Sequence, residues 1–436
     1  MRSVKAYRYR WVILLSLVLL IISVESQWLT LAPVGRVANT FYRGQLNLRH
    51  STPVDLLSLM YLVVFVVASV PSSYLLHRLG IRWVVWIASG TIIFGALTKT
   101  LYLADLRFVL FGQFFLAVGQ TLVLVSITEI VSRWFPIRER GMAVGLTSTS
   151  QYLSLAMVMI VTPLWVVTKS SDPMWGSGFE RMMRFWGIFS AILALVPAFL
   201  IRENPPTPSS HYTYPALSYR SSFKALQLSS SLRGLLIIFS ICWGVLMVFF
   251  IKVDQISALL GITDSNGILG ISMFVGGMVG ATVLPALSDR YRRRKLFFVF
   301  STVCSIPGIL LMVFSARIGS HLLNPTAIAI IGSSIVGLSL LAAIPIGTQY
   351  AAELASGVGE EIIQSLLLLS SQAACAIILV VSLVTTEFYA PMLLAFLAVL
   401  LAAAMVGSAF LKESPMIITE DQRLKEAVEV EIVHLQ

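Results

Sequence analysis

Charge is scarce in this chain: 12% of its 436 residues are charged and 57% are hydrophobic. A soluble domain would carry about twice that charged fraction. Cysteine is scarcer still. Cys242, Cys304 and Cys375 each sit in an apolar run, without paired spacing or accompanying histidines, and read as small core residues rather than disulfides or metal ligands. The five histidines, His50, His77, His211, His321 and His434, all fall in expected loops or tails. No glycine-rich phosphate loop, metal spacing or nucleophile elbow is present, so neither an enzyme nor a resident cofactor or metal is expected. There is no Asn-x-Ser/Thr sequon, and the first apolar run is too long for a cleavable signal and ends without a cleavage site.

What the chain has instead is long apolar segments. Twelve are expected to cross a bilayer, at 11–37, 54–77, 81–104, 107–134, 140–167, 181–201, 233–260, 266–288, 295–316, 326–352, 360–386 and 389–411. Between the sixth and seventh, Pro205, Pro206, Pro208 and Pro215 with many serines interrupt any helix and mark a linker. The expected organisation is a six-helix bundle at 1–202, a linker at 203–232, a second bundle at 233–411 and a tail at 412–436.

An even number of spans puts both termini on one side, and the basic start (Arg2, Lys5, Arg8, Arg10) places that side in the cytoplasm. The outer side then holds Arg36, Arg43, Arg49, Lys99, Arg107, Lys169, Arg181, Arg184 and Arg317, and Lys252 lies within a span. All other Lys and Arg are cytoplasmic, so the net charge of +10 reports topology and calls for no nucleic acid.

The two halves repeat. The connection His77-Arg78-Leu79-Gly80-Ile81-Arg82 after span two matches Asp289-Arg290-Tyr291-Arg292-Arg293-Arg294 after span eight, and Glu129 in span four matches Glu353 in span ten. Paired halves predict a transporter whose solute sits near the midplane and is exposed alternately to either side. Glu129 is expected to gate the cytoplasmic side with Arg78 or Arg82, and Glu353 with Arg290 or Arg294.

The chemistry concentrates in span one, in Ser23-Val24-Glu25-Ser26-Gln27-Trp28. A carboxylate in mid-bilayer costs roughly 2.5 to 3.5 kcal/mol, so Glu25 is expected to face a cavity or a partner. Trp28 falls three residues on, near the same face. One negative charge beside one large π face suits a small organic cation. The alternative is an ion pair for Glu25 and interfacial anchoring for Trp28. A proton relay needs a buried carboxylate, a role that fits Glu25 better than Glu129.

In span seven, Trp243, Met247, Phe250 and Asp254 share one helical face, and Trp243 or Phe250 could wall an aromatic box or merely pack. Lys252 and Asp254 stand roughly 200° apart and do not pair with each other. Lys252 is about 28 Å from the cytoplasmic end, so snorkelling to the outer boundary is the expectation. Turned inward, it would repel a cation and favour an anion. Gln151 and Gln372 could hold a polar solute atom or bond across helices.

Over its whole length the chain resembles the major facilitator superfamily, through the basic connections after spans two and eight and through Arg133-Trp134-Phe135-Pro136 followed by Glu139-Arg140-Gly141 and Gly145. His77 departs from the usual aspartate of the first connection. Within that superfamily, Gln27-Trp28, Gln151, Gly359-Glu360, Ser365 and Ser371-Gln372 resemble the feline leukaemia virus subgroup C receptor-related family of choline and ethanolamine transporters, for some of which haem has also been proposed. The resemblance implies that Trp28, Gln151 and Gln372 line the solute site. It also implies a tyrosine in span seven, where this chain has Trp243, Phe249 and Phe250 instead.

The expectation is thus an all-α membrane protein of twelve spans in two pseudo-symmetric bundles, a monomer in a cell membrane moving a small amine solute such as choline or ethanolamine, downhill or with H+ or another ion. One alternative is a proton-coupled organic-anion symporter with Lys252 or Arg36 as the anion's partner. Another is a non-transporting receptor on the same scaffold.

Overall fold

A computed structural model describes residues 7–45, 51–207, 230–262, 267–318, 324–355, 360–388 and 392–414. Most of the expected linker, the tail beyond Ser414, and Arg49, His50, His211, Arg220, Lys224, His321, Gly359 and His434 lie outside these residues.

Every regular element among the described residues is a helix, and twelve are long and apolar enough to cross a membrane. Their starts follow from local chemistry. Thr52 precedes Pro53 and its Oγ1 accepts the Asp55 amide N–H at 3.3 Å, opening Pro53–Leu79 as span two. Asn324 does the same before Pro325, taking the Thr326 N–H at 3.0 Å to open Pro325–Leu354 as span ten. Spans two and three meet at Gly80, whose φ of 85° a side chain would oppose. Span three, Ile81–Leu101, is capped from a distance: Glu203 accepts the Ile81 and Arg82 amide N–H groups at 3.1 and 2.8 Å.

Span three packs tightly on span four, Leu106–Trp134, because Gly95 and Gly112 oppose each other; a Cβ on Gly112 would meet the Gly95 carbonyl at 2.6 Å. Close approach of this kind is how helices associate in lipid. The solvent pattern is inverted accordingly. Phe199, Leu164 and Val67 are exposed, while Lys99, Lys252 and Asp55 are buried.

Two spans differ from the continuous helices expected. Span one ends as a helix at Trp28 (Arg10–Trp28), turns through Ala32–Val34 and resumes as Gly35–Phe41. Pro33 explains this, because it has no N–H to donate. Span seven runs Ser230–Ile251 and then Val253–Leu259, interrupted at Lys252. Neither proline nor glycine breaks it. The interruption falls on the residue whose ammonium is drawn to Asp55.

The chain forms two compact units. The first comprises Met1–Leu217, Met247–Ile271 and Ala376–Ala390; the second comprises Ser218–Leu246, Ser272–Cys375 and Pro391–Gln436. Asp254, Lys252 and Phe250 therefore belong with spans one to six. The first unit has an aromatic-rich core in which Trp186 of span six, Phe179–Leu200, is buried with Phe179, Tyr42 and Val34. In the second, the Ser240 hydroxyl donates to Ser370 at 2.9 Å and ties span seven to span eleven.

Candidate solute-binding site

All six residues of the polar stretch in span one are buried. Most are spent on helix packing. Ser23 donates to the Ser190 carbonyl at 2.8 Å, and Gln27 Nε2 donates to the Trp186 carbonyl at 2.7 Å. Gln27, expected at the solute site, therefore braces span one against span six: its amide nitrogen has a backbone partner and the residue is 2% exposed.

Glu25 is different. Its Oε1 accepts from Gln120 Nε2 at 3.0 Å, and no cation pairs with it among the described residues. Tyr61 and Tyr152 lie within electrostatic reach. Trp28 stacks on Tyr61, with centroids 6.2 Å apart and planes 16° from parallel. Trp28 Nε1 and the Tyr61 hydroxyl are both buried without a hydrogen-bond partner. Such atoms normally find partners, and leaving one unmet costs about 1 to 3 kcal/mol. A carboxylate, two ring faces and two unmet polar atoms so converge in one unit.

Three members of this group, Tyr61, Gln120 and Tyr152, were not expected. Each is a polar-tipped side chain in an apolar helix, and Gln120 stands two turns from Gln113 on one face of span four. Gln151 is half-buried, with no hydrogen bond among the described residues. The ring stacked on Trp28 is Tyr61, and Phe250, expected with Trp243 as a possible wall, is fully buried. Trp243 lies in the second unit, stacked on Phe239 at 6.5 Å, and its Nε1 is buried and unpartnered. Gln372 lies in that unit too, 3% exposed, with Oε1 unpartnered beside an equally unmet Ser371 hydroxyl.

The snorkelling expected of Lys252 is also corrected. Its side chain is 1% exposed, with Nζ 3.0 Å from Asp55 Oδ1, and Asp55 is 2% exposed. Charge rather than a well-directed hydrogen bond holds this pair. Asp254 takes the Arg36 N–H at 2.6 Å, with Arg36 Nε and Nη2 each 3.0 Å from its Oδ1. Lys99, expected on the outer surface, is 3% exposed; Nζ donates to Gln113 Oε1 at 2.7 Å and lies 3.5 Å from the Gln27 carbonyl.

At the other end of span four the expected gate differs. Glu129 pairs with Arg133 at 2.6 Å, one turn away, and Arg133 bridges on to Glu203 at 2.8 Å. Arg78 donates to the Tyr74 hydroxyl, and the Arg82 guanidinium stands 4.9 Å over the Trp86 ring. Neither is paired with Glu129, which Arg133 engages. In the second unit Arg294 Nε donates to Glu353 at 3.1 Å and Nη1 contacts Asp289, while Arg290 is exposed.

The model of the Major Facilitator Superfamily matches residues 36–360. The chain belongs to the Major Facilitator Superfamily. It is a multi-pass membrane transporter of small solutes. Among curated members it is 25% identical over 373 residues to solute carrier family 49 member A3 of Xenopus tropicalis, covering 82% of this chain and 73% of that one. It is 24% identical over 377 residues to the choline/ethanolamine transporter flvcr2a of Danio rerio, covering 84% and 78%. The fold is shared with solved transporters: a D-xylose-proton symporter aligns with TM-score 0.72 at 13% identity, over 93% of this chain and 98% of its own.

Proposed function

We propose that this transporter carries a small amine-bearing cation such as choline or ethanolamine, held in the first unit by Glu25 and the Trp28–Tyr61 pair. The observation that carries the reading is a buried carboxylate satisfied by an amide alone, set beside a stacked aromatic pair with unmet polar atoms. A desolvated cation over such rings is worth about 2 kcal/mol. An amine would also supply the charge that Glu25 lacks. Choline and ethanolamine are what several relatives, including that of Danio rerio, are named for carrying. By the positive-inside rule the termini are cytoplasmic. Opening toward the outer face then requires the Arg36–Asp254 and Lys252–Asp55 pairs to separate.

An organic anion is the second reading. Lys252 and Arg36 no longer support it, since both are engaged by aspartates. Lys99 does: it is a buried cation with neutral partners.

Thermal stabilisation of the purified protein by choline, ethanolamine and a set of carboxylates tests the reading, because a ligand selective for the folded state stabilises by about 2.7 kcal/mol at a hundredfold its Kd. The expected result is stabilisation by an amine that both Trp28→Ala and Glu25→Gln abolish. Stabilisation by carboxylates alone, indifferent to both substitutions, would sink it.

A further inference from the structure

In the second unit the end of span eight (Ile268–Tyr291), the start of span nine (Arg294–Ile318) and the end of span twelve (Met392–Ala409) enclose a cleft of 880 Å³. Its polar rim is cationic: Arg290, Arg292, Arg293 and Lys295 line it with Tyr291. The remaining lining is Leu296, Val299, Ala409 and one carboxylate, Glu413.

The neighbouring carboxylates Glu413, Asp289 and Glu353 have other partners. Glu413 Oε1 accepts the backbone N–H groups of Lys295 at 2.9 Å and Ser414 at 3.3 Å, so it serves as a cap. Asp289 and Glu353 are both taken by Arg294. Arg290 and Arg293 have no ion pair among the described residues. Guanidinium groups in this state match phosphate oxygens in bidentate geometry.

The apolar side of the cleft continues down span nine. Leu296, Phe300 and Val303 recur at i, i+4 and i+7 and are all exposed, at 52%, 49% and 37%. Tyr291, 61% exposed, stands at the top of this stripe and stacks on Phe297 with centroids 6.1 Å apart. Aromatic rings of that kind sit at headgroup depth. A cationic rim over an exposed apolar stripe fits a molecule with a phosphate head and hydrocarbon tails.

We infer that this cleft binds the headgroup of an anionic phospholipid, its phosphate held by Arg290 and Arg293 and an acyl chain laid along Leu296, Phe300 and Val303. Basic pockets between membrane helices bind such headgroups, with each cation contributing to the attraction. The site is separate from Glu25 and Trp28 and does not depend on the identity of the solute.

The test is native mass spectrometry of the full chain released from vesicles of phosphatidylcholine with a minor fraction of phosphatidylglycerol. The wild type is expected to retain phosphatidylglycerol in preference. Arg290→Gln/Arg293→Gln should lower that preference by about tenfold or more. Both positions are exposed, so unfolding temperature should not move, and Arg181→Gln in the first unit should leave retention unchanged. Equal retention of the two lipids by the wild type, or unaltered preference in the double variant, would overturn the inference. Displacement by inorganic phosphate as readily as by phosphatidylglycerol would overturn it too, since the site would then read phosphate without the lipid.

Discussion

Two sets of buried charges in the first unit are satisfied in opposite ways. Beyond Trp28, where span one resumes and span seven is interrupted, each buried charge among the described residues faces its opposite: Lys252 and Asp55 face each other, and Asp254 faces the part-exposed Arg36. Deeper along spans one, three and four, every buried charge faces an amide: Glu25 faces Gln120 and Lys99 faces Gln113. Opposed charges in a low dielectric hold each other and have little left for a solute. An amide neutralises nothing. It satisfies the hydrogen bond and leaves the charge to act on whatever enters. The first set therefore holds its helices together, and the second keeps charge that no protein partner cancels.

The comparison breaks most visibly if the paired set proves dispensable. Removing one member leaves a buried, uncompensated charge, so Lys252→Ala and Asp55→Ala should each cost about 3 to 5 kcal/mol. Replacing both, as Lys252→Met with Asp55→Asn, should restore most of that loss. Denaturant unfolding in detergent measures it. Single variants that lose less than about 1 kcal/mol would remove the distinction between the two sets.

Arg36→Ala should be milder. Its side chain is 22% exposed, and the Arg36 backbone N–H continues to serve Asp254 at 2.6 Å whatever side chain follows. A loss of about 1 to 2 kcal/mol is expected by the same unfolding measurement. A loss as large as that of Lys252→Ala would mean that the guanidinium, and not the backbone donor, holds the end of span seven.

How much of this the sequence carries depends on whether the signal lies within one helix. Membrane crossing is decided segment by segment, so all twelve spans were legible. Glu25 stood out because a charge in an apolar run is costly by itself. Tyr61, Gln120 and Tyr152 carry no such cost alone, and only the packing of spans two, four and five makes them a group. Lys252 was read as snorkelling because its partner, Asp55, is 197 residues away in sequence and no periodicity links them. The Glu129–Arg133 pair is of the local kind, four residues apart on one helix, whereas the repeat between halves points to Arg78 and Arg82.

The smallest effect discriminates best between the two functional readings. Lys99 lies 3.5 Å from the Gln27 carbonyl, and Glu25 is two residues back along the same helix. A buried ammonium with neutral partners opposes a cation in the same unit and favours an anion. Lys99→Met removes a charge whose partners are neutral, so stability should change by no more than about 1 kcal/mol, far less than at Lys252. Ethanolamine should then bind several-fold tighter, read as a shift in the concentration needed for half-maximal thermal stabilisation. Weaker binding with an intact fold would make Lys99 a prop that positions Gln27 and Trp28. Loss of carboxylate binding in the same variant, with ethanolamine inert throughout, would assign the site to an anion and make Lys99 its anchor.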